Sequence, residues 1–162
     1  MIDREAARVT VFVEVSPRDA FEVFTDEVDL WWRRGPRFRG GGANSELRFE
    51  RDASGGRCLI EQSGDERFEI GRVQVWEPGT RLLLDYRLQN FGPEERTQVE
   101  VCFEAHAAGT RVTLEHRGWA GIRTGHPARH GHVDDALSRM LGVHWGAVLT
   151  GYRLHTRQIS GR

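Results

Sequence analysis

The chain has 162 residues, 38% of them hydrophobic and 29% charged, with a formal net charge of −1. That length suits one domain with a real core, spanning 1–162, and the charge balance excludes long-range attraction to nucleic acid or to an anionic membrane surface. All 23 basic residues are arginines, so no lysine amine is present for Schiff-base, pyridoxal-phosphate or P-loop chemistry.

The N-terminal stretch MIDREAARVTV carries charges where a signal peptide would be apolar. No segment approaches the ~18 consecutive apolar residues of a membrane helix. A cytoplasmic protein without membrane insertion is the expectation. Cys58 and Cys102 stand in separate strand-like runs, form no CxxC pair, and read as free thiols.

In chain order, Val9, Val11, Val13 and Val15 alternate with Thr10, Phe12 and Glu14, which predicts a strand with its valine face inward. Ser16 caps a helix with Pro17 at its first position, Asp19 three residues after the cap, and Ala20, Phe21, Val23 and Phe24 as the apolar stripe. Asp26 is placed to cap a second short helix carrying Val28, Leu30 and Trp31. Residues 33–45 have no periodicity and read as a long loop, with Arg33, Arg34, Arg37 and Arg39 expected to be solvent-exposed.

Next come two hairpins. ELRFERD and RCLIEQ pair across DASGG, with Leu47 and Phe49 facing one side and Cys58 and Ile60 doing the same on the partner. RFEIGRVQVW and RLLLDYRL pair across EPGT; Phe68 and Ile70 alternate in one phase, Val73 and Val75 in the other, so a bulge is predicted at Gly71 and Arg72. Leu82, Leu84, Tyr86 and Leu88 form one inward set, Val99, Val101 and Phe103 the next, and Val112, Leu114 and His116 the last. An irregular stretch precedes a long helix that begins near Asp134, with Leu137, Met140, Leu141, His144, Val148 and Tyr152 as its inner stripe. Gly142, Gly146 and Gly151 within it each cost ~1 kcal/mol relative to Ala and call for close packing or a bend.

This order predicts an α+β fold, with a curved antiparallel sheet of about seven strands around one long C-terminal helix and two short helices after the first strand. Several local patterns carry a family resemblance. They are S-P-x-x-A-F-x-x-F from Ser16, the Trp31-Trp32 pair, W-E-P-x-x-R-L at 76–82, T-R-V-T-L-E-H-x-G-W at 110–119, and H-W-G-x-x-L-x-x-Y at 144–152. In this order they resemble the START-like (SRPBCC, Bet v 1-like) superfamily, and within it the activator of Hsp90 ATPase homologue 1-like (AHSA1-like) family. The resemblance implies a helix-grip fold with an internal hydrophobic cavity. It does not imply one activity, since similar proteins include lipid and sterol carriers, aromatic polyketide cyclases, hormone binders and a co-chaperone domain.

The inward polar set expected around such a cavity is Tyr86, His116 and His144, with Cys58 and Gln62 on a nearby strand and Tyr152 further along the helix. These residues orient a ligand, exchange protons, or are core residues satisfied by backbone; no carboxylate joins them in the inward pattern. Adjacent helical residues point ~100° apart, so one of Trp31 and Trp32 is expected at the cavity and the other against the sheet edge. His126, His130 and His132 contain an HxH spacing, the candidate metal cluster, although the intervening Pro, Arg and Gly read more simply as a solvated loop. The arginine-aromatic run at 31–42 suits an anionic head group or an acidic protein surface better than nucleic acid.

Three functions follow: binding of a small hydrophobic or aromatic ligand, acid-base catalysis of the cyclase or hydrolase type through His116, His144 and Tyr86, and co-chaperone activation of Hsp90. No cofactor is expected, and the expected partners are the ligand and a chaperone or second copy of the chain.

Overall fold

The valine-rich run forms strand β1 (Ala7–Val13) at one edge of the sheet. The computed structural model describes residues 2–160, so Met1, Gly161 and Arg162 of the expected 1–162 span lie outside the described residues. Helix α1 (Pro17–Asp26) starts where expected, because Ser16 Oγ accepts from Asp19 N at 3.1 Å and Pro17 has no N–H to lose in the first turn. Phe21 and Phe24 on its buried face meet Phe103 edge-on, each burial contributing ~1.5–3 kcal/mol. Asp26 ends this helix rather than capping the next one. Glu27 holds the cap position of α2 (Val28–Trp31) without a side-chain cap bond, its carboxylate meeting His155 Nε2 at 2.9 Å.

Six strands follow: β2 (Glu46–Arg51), β3 (Arg57–Ser63), β4 (Glu66–Glu77), β5 (Arg81–Tyr86), β6 (Thr97–His106) and β7 (Gly109–Arg117). They join β1 in one antiparallel sheet of order β1-β7-β6-β5-β4-β3-β2.

Strand β4 bends the sheet. Leu59 pairs with Gly71 and Ile60 with Glu69, leaving Ile70 as a bulge; Val73 pairs with Leu84 and Val75 with Leu83, leaving Gln74 as a second. The first slip is the one predicted beside Gly71, whose missing side chain lets the Asp85 carbonyl approach: a Cβ there would lie 1.5 Å from that oxygen. The second slip was not expected, and it puts Trp76 rather than Val75 on the core beside Val73. Residues 66–72 pair with β3 and 73–77 with β5, so β4 hands one half of the sheet to the other across the bend.

Helix α3 (Asp134–Ser160) lies against β1 and fills the concave face. Leu137, Leu141, Val148 and Tyr152 are buried as expected, but Trp145 holds the centre while Met140 and His144 flank it, half-buried. Gly151 packs within 2.8 Å (Cβ position) of the Trp31 carbonyl, whereas Gly142 and Gly146 face open space.

Candidate functional site

The centre of the grip is solid. Between α1, α3 and the sheet, the void bounded by Phe24, Trp32, Leu84 and Trp145 is only about 10 Å³. The usable space lies at one end, as two adjoining lobes of about 350 and 480 Å³. They share Arg37, Tyr86, Leu88, Ala128, His130 and His144. The first lobe runs over β2 to β4, past Leu47, Glu61, Phe68 and Ile70; the second runs under α3, past His116, Trp119, Met140 and Trp145.

Tyr86, His116 and His144, expected together, do line the second lobe. Their chemistry differs. Trp145 Nε1 donates to His116 Nδ1 at 3.0 Å, and an indole nitrogen can only donate, so Nδ1 is the bare nitrogen and Nε2 carries the proton. Nε2 then donates to Thr97 Oγ1 at 2.7 Å, and the Thr97 hydroxyl in turn donates to the Tyr86 carbonyl at 2.8 Å. Burial, aided by His144, pushes His116 down to about 3, so it is neutral near pH 7 with both nitrogens occupied.

His144 stacks on Phe38 with ring centroids 5.8 Å apart and makes no hydrogen bond to the described residues. Burial and then the Arg37 charge hold it below its ordinary value. The Tyr86 hydroxyl has no hydrogen-bond partner among the described residues either, and burial with the Glu61 charge raises its phenol well above the usual range.

The wall formed by residues 36–40 is rigid because of a residue expected to be exposed. Arg39 is 1% exposed, and its guanidinium donates to Asp29 Oδ1 at 2.6 Å and to the carbonyls of Asp29, Trp32, Arg33 and Ser45. A loop has no ladder partners for its carbonyls, and one planar five-donor group supplies them here. Arg34 adds bonds to Asp29, Ala43 and Ser45; Arg33 and Arg37 are exposed as expected. The opposite wall is held similarly, Arg129 donating to the Trp119 and Ile122 carbonyls and to the Glu5 carboxylate.

Other expected site residues lie elsewhere. Trp32 lines the first lobe and donates to the Phe38 carbonyl at 2.9 Å, but Trp31 packs on Phe24 and Tyr152 and donates to the Phe24 carbonyl; both indoles are buried. Tyr152 is a core residue whose hydroxyl ties α3 to the Ala20 carbonyl at 2.7 Å. Cys58 is on the far face of β3, beside Glu50, Glu69 and Arg72, because Leu59 and Glu61 are the residues that register with Phe49 and Leu47 on the inner face. Cys58 and Cys102 are both free thiols.

His126 is buried, with Nδ1 accepting from Ala128 N and Nε2 lying 3.2 Å from Glu95 Oε1, while His130 and His132 are exposed. The expected fully solvated loop is therefore half wrong. Among the described residues no cluster of three ligand-type side chains is placed to hold a metal ion.

The largest omission is Glu61. It is an inward carboxylate, 4% exposed, accepting from Gly41 N at 2.7 Å and Ser45 Oγ at 2.6 Å. Three consecutive apolar residues, Cys58, Leu59 and Ile60, hid the phase that would have exposed it. Trp145 was legible in the helix pattern, but nothing local foretold its bond to His116.

A bent antiparallel sheet closed on a long C-terminal helix, with a cavity at one end, defines a helix-grip protein. The chain belongs to the activator of Hsp90 ATPase homolog 1-like (AHSA1) family, whose model matches residues 14–142. No curated protein sequence matches it. Among solved structures it is similar to DynU16, a protein in the dynemicin biosynthetic locus (TM-score 0.62, 19% identity, covering 94% of this chain and 47% of that one). The chain thus spans about half the length of DynU16. It is also similar to CalU16 from Micromonospora echinospora (TM-score 0.57, 15% identity, 93% and 75% covered) and to the Aha1 dimer from Colwellia psychrerythraea (TM-score 0.59, 14% identity, 94% of each). At these identities the likeness is one of fold. No helix of the described residues is long and apolar enough to cross a membrane.

Proposed function

We propose that this protein binds a small, largely apolar or aromatic ligand in the two-lobed cavity at the end of the grip. One observation carries the reading: aromatic and aliphatic side chains supply most of the cavity's surface, and the Tyr86 hydroxyl and His144 imidazole facing it have no partner among the described residues. Apolar walls with a few unpaired polar groups are the usual makeup of a small-molecule site. DynU16, similar in fold, comes from the dynemicin biosynthetic locus, a setting in keeping with a small-molecule ligand.

His116, with both nitrogens committed to Trp145 and Thr97, is withdrawn from the acid-base reading, which leaves only His144 and Tyr86 to carry it. A proton carrier needs one nitrogen free for the substrate. Native mass spectrometry of freshly purified protein tests the reading, with an adduct of small-molecule mass, lost on denaturation, as the expected result. Turnover of the released compound by the protein would move the reading to catalysis.

A further inference from the structure

Glu61 projects from β3 into the first lobe, where its wall meets a polar depression lined by Gly41, Ser63 and Gln89. Both protein hydrogen bonds to the carboxylate end on the same oxygen, Oε2. Oε1 has no partner among the described residues, yet it is not sealed from solvent-sized molecules. Position 41 is a glycine with reason: a Cβ there would stand 2.8 Å from Oε2, so a larger residue would push the carboxylate out of this pose.

Among the described residues the side chain has no counter-ion. No arginine pairs with it, although three line the same lobe, Arg37 among them lying over the Phe38 ring at 5.6 Å from its centroid. Arg39 is committed to Asp29 and four carbonyls, and Arg87 to the carbonyls of Phe91, Gly92 and Glu95. One oxygen of this carboxyl group is held by the protein, and the other is left to a donor that enters the cavity, water or ligand. The Tyr86 hydroxyl, without a partner among the described residues, lines the same lobe.

We infer that Glu61 Oε1 is the selective acceptor of the cavity, and that the ligand carries a hydrogen-bond donor, an amine or a hydroxyl, on an aromatic body. This rests on the proposal that the cavity binds a ligand, and it names the chemistry of that ligand. The apolar walls take the ring system, Oε2 stays on Gly41 and Ser45, and the donor bridges to Oε1. A carboxylate at the same place would face Glu61 charge to charge.

Calorimetric titration of the intact protein with 2-naphthylmethylamine, 2-naphthylmethanol and 2-naphthoate tests the inference. The amine and alcohol are expected to bind about tenfold or more tighter than the acid, the scale of a hydrogen bond to a charged group. In Glu61→Gln the amide oxygen keeps the Gly41 and Ser45 bonds while an NH2 replaces Oε1, so the amine should lose about tenfold and the acid should not weaken. Equal affinity for all three probes, or an unchanged order in Glu61→Gln, would overturn the role of Glu61 while leaving the cavity reading in place. If no probe binds the unsubstituted protein, both readings fall. Should Glu61→Gln fail to fold, the order of the three probes on the unsubstituted protein decides the matter alone.

Discussion

Trp145 on α3 donates its indole N–H to Nδ1 of His116 on β7, across 3.0 Å, and so locks the covering helix to the sheet through one neutral imidazole. Protonating Nδ1 would set two donors against each other. Because burial depresses His116 in the folded state to about 3, the unfolded chain takes up its proton first as pH falls. The contribution of His116 is therefore complete above about pH 6.5 and lost progressively below it, at up to ~1.4 kcal/mol per pH unit. His144 is shifted in the same direction.

Chemical denaturation at steps from about pH 7.5 to 4.5 should show this slope in the wild type and a shallower one in His116→Gln, which is also less stable at neutral pH. Carboxylates held below their ordinary range, Glu5, Asp29 and Glu100 among them, begin to lose their contribution only near the lower edge of this window, as pH falls through the unfolded carboxylate range. A flat wild-type profile across this window would contradict the locked tautomer.

The buried guanidinium of Arg39 separates it from its neighbours in the same loop. Arg39→Ala leaves Asp29 without its buried partner and the Asp29, Trp32 and Arg33 carbonyls without their donor, while Ser45 keeps its bond from Arg34, and should cost ~3–5 kcal/mol by urea denaturation. Arg37→Ala, at the exposed rim, should stay within about 0.5 kcal/mol. Similar midpoints for the two variants would show that the Arg39 network contributes little.

Two glycines should respond oppositely to one methyl group. Gly71→Ala drives a Cβ into the Asp85 carbonyl at the β4 bend and is expected to destabilise by ~3 kcal/mol or more, as strained or overpacked backbone sites do. Gly142→Ala, in the middle of α3 with nothing within 4 Å, should raise stability by ~0.5–1 kcal/mol through helix propensity and the unfolded chain's lost freedom. Melting temperatures moving in opposite directions are the result to look for.

Filling the cavity and overfilling the core should also come apart. Leu88 lines both lobes and is half-buried, so Leu88→Trp is expected to abolish probe-induced changes in indole fluorescence with little loss of stability. Leu84 borders only the 10 Å³ central void. Leu84→Trp should instead cost ~1–3 kcal/mol by overpacking. Probe binding that survives Leu88→Trp would place the ligand somewhere else.

Local patterns along the chain specify the elements and most of their faces. Ser16, Pro17 and Asp19 set the start of α1, alternation set the inward residues of β1 and β5 to β7, and the phase change at Gly71 announced the bend. These are local signals: a cap reaches three residues along the chain, and alternation needs only the next residue but one.

Other features depend on partners far along the chain and emerge only on folding. Leu59 and Glu61 face inward because β2 pairs with β3 in one register, and CLIE reads equally well in either phase until that register is known. Arg39 looked like any loop arginine until folding brought Asp29 and the unpaired carbonyls of four residues around it. The cavity lies at the end of the grip rather than inside it because Trp32 and Trp145, 113 positions apart in sequence (145 − 32), meet edge-on at 5.7 Å and fill the centre. Side-chain volume is written in the sequence, but which volumes share a space is fixed only when the sheet closes on the helix.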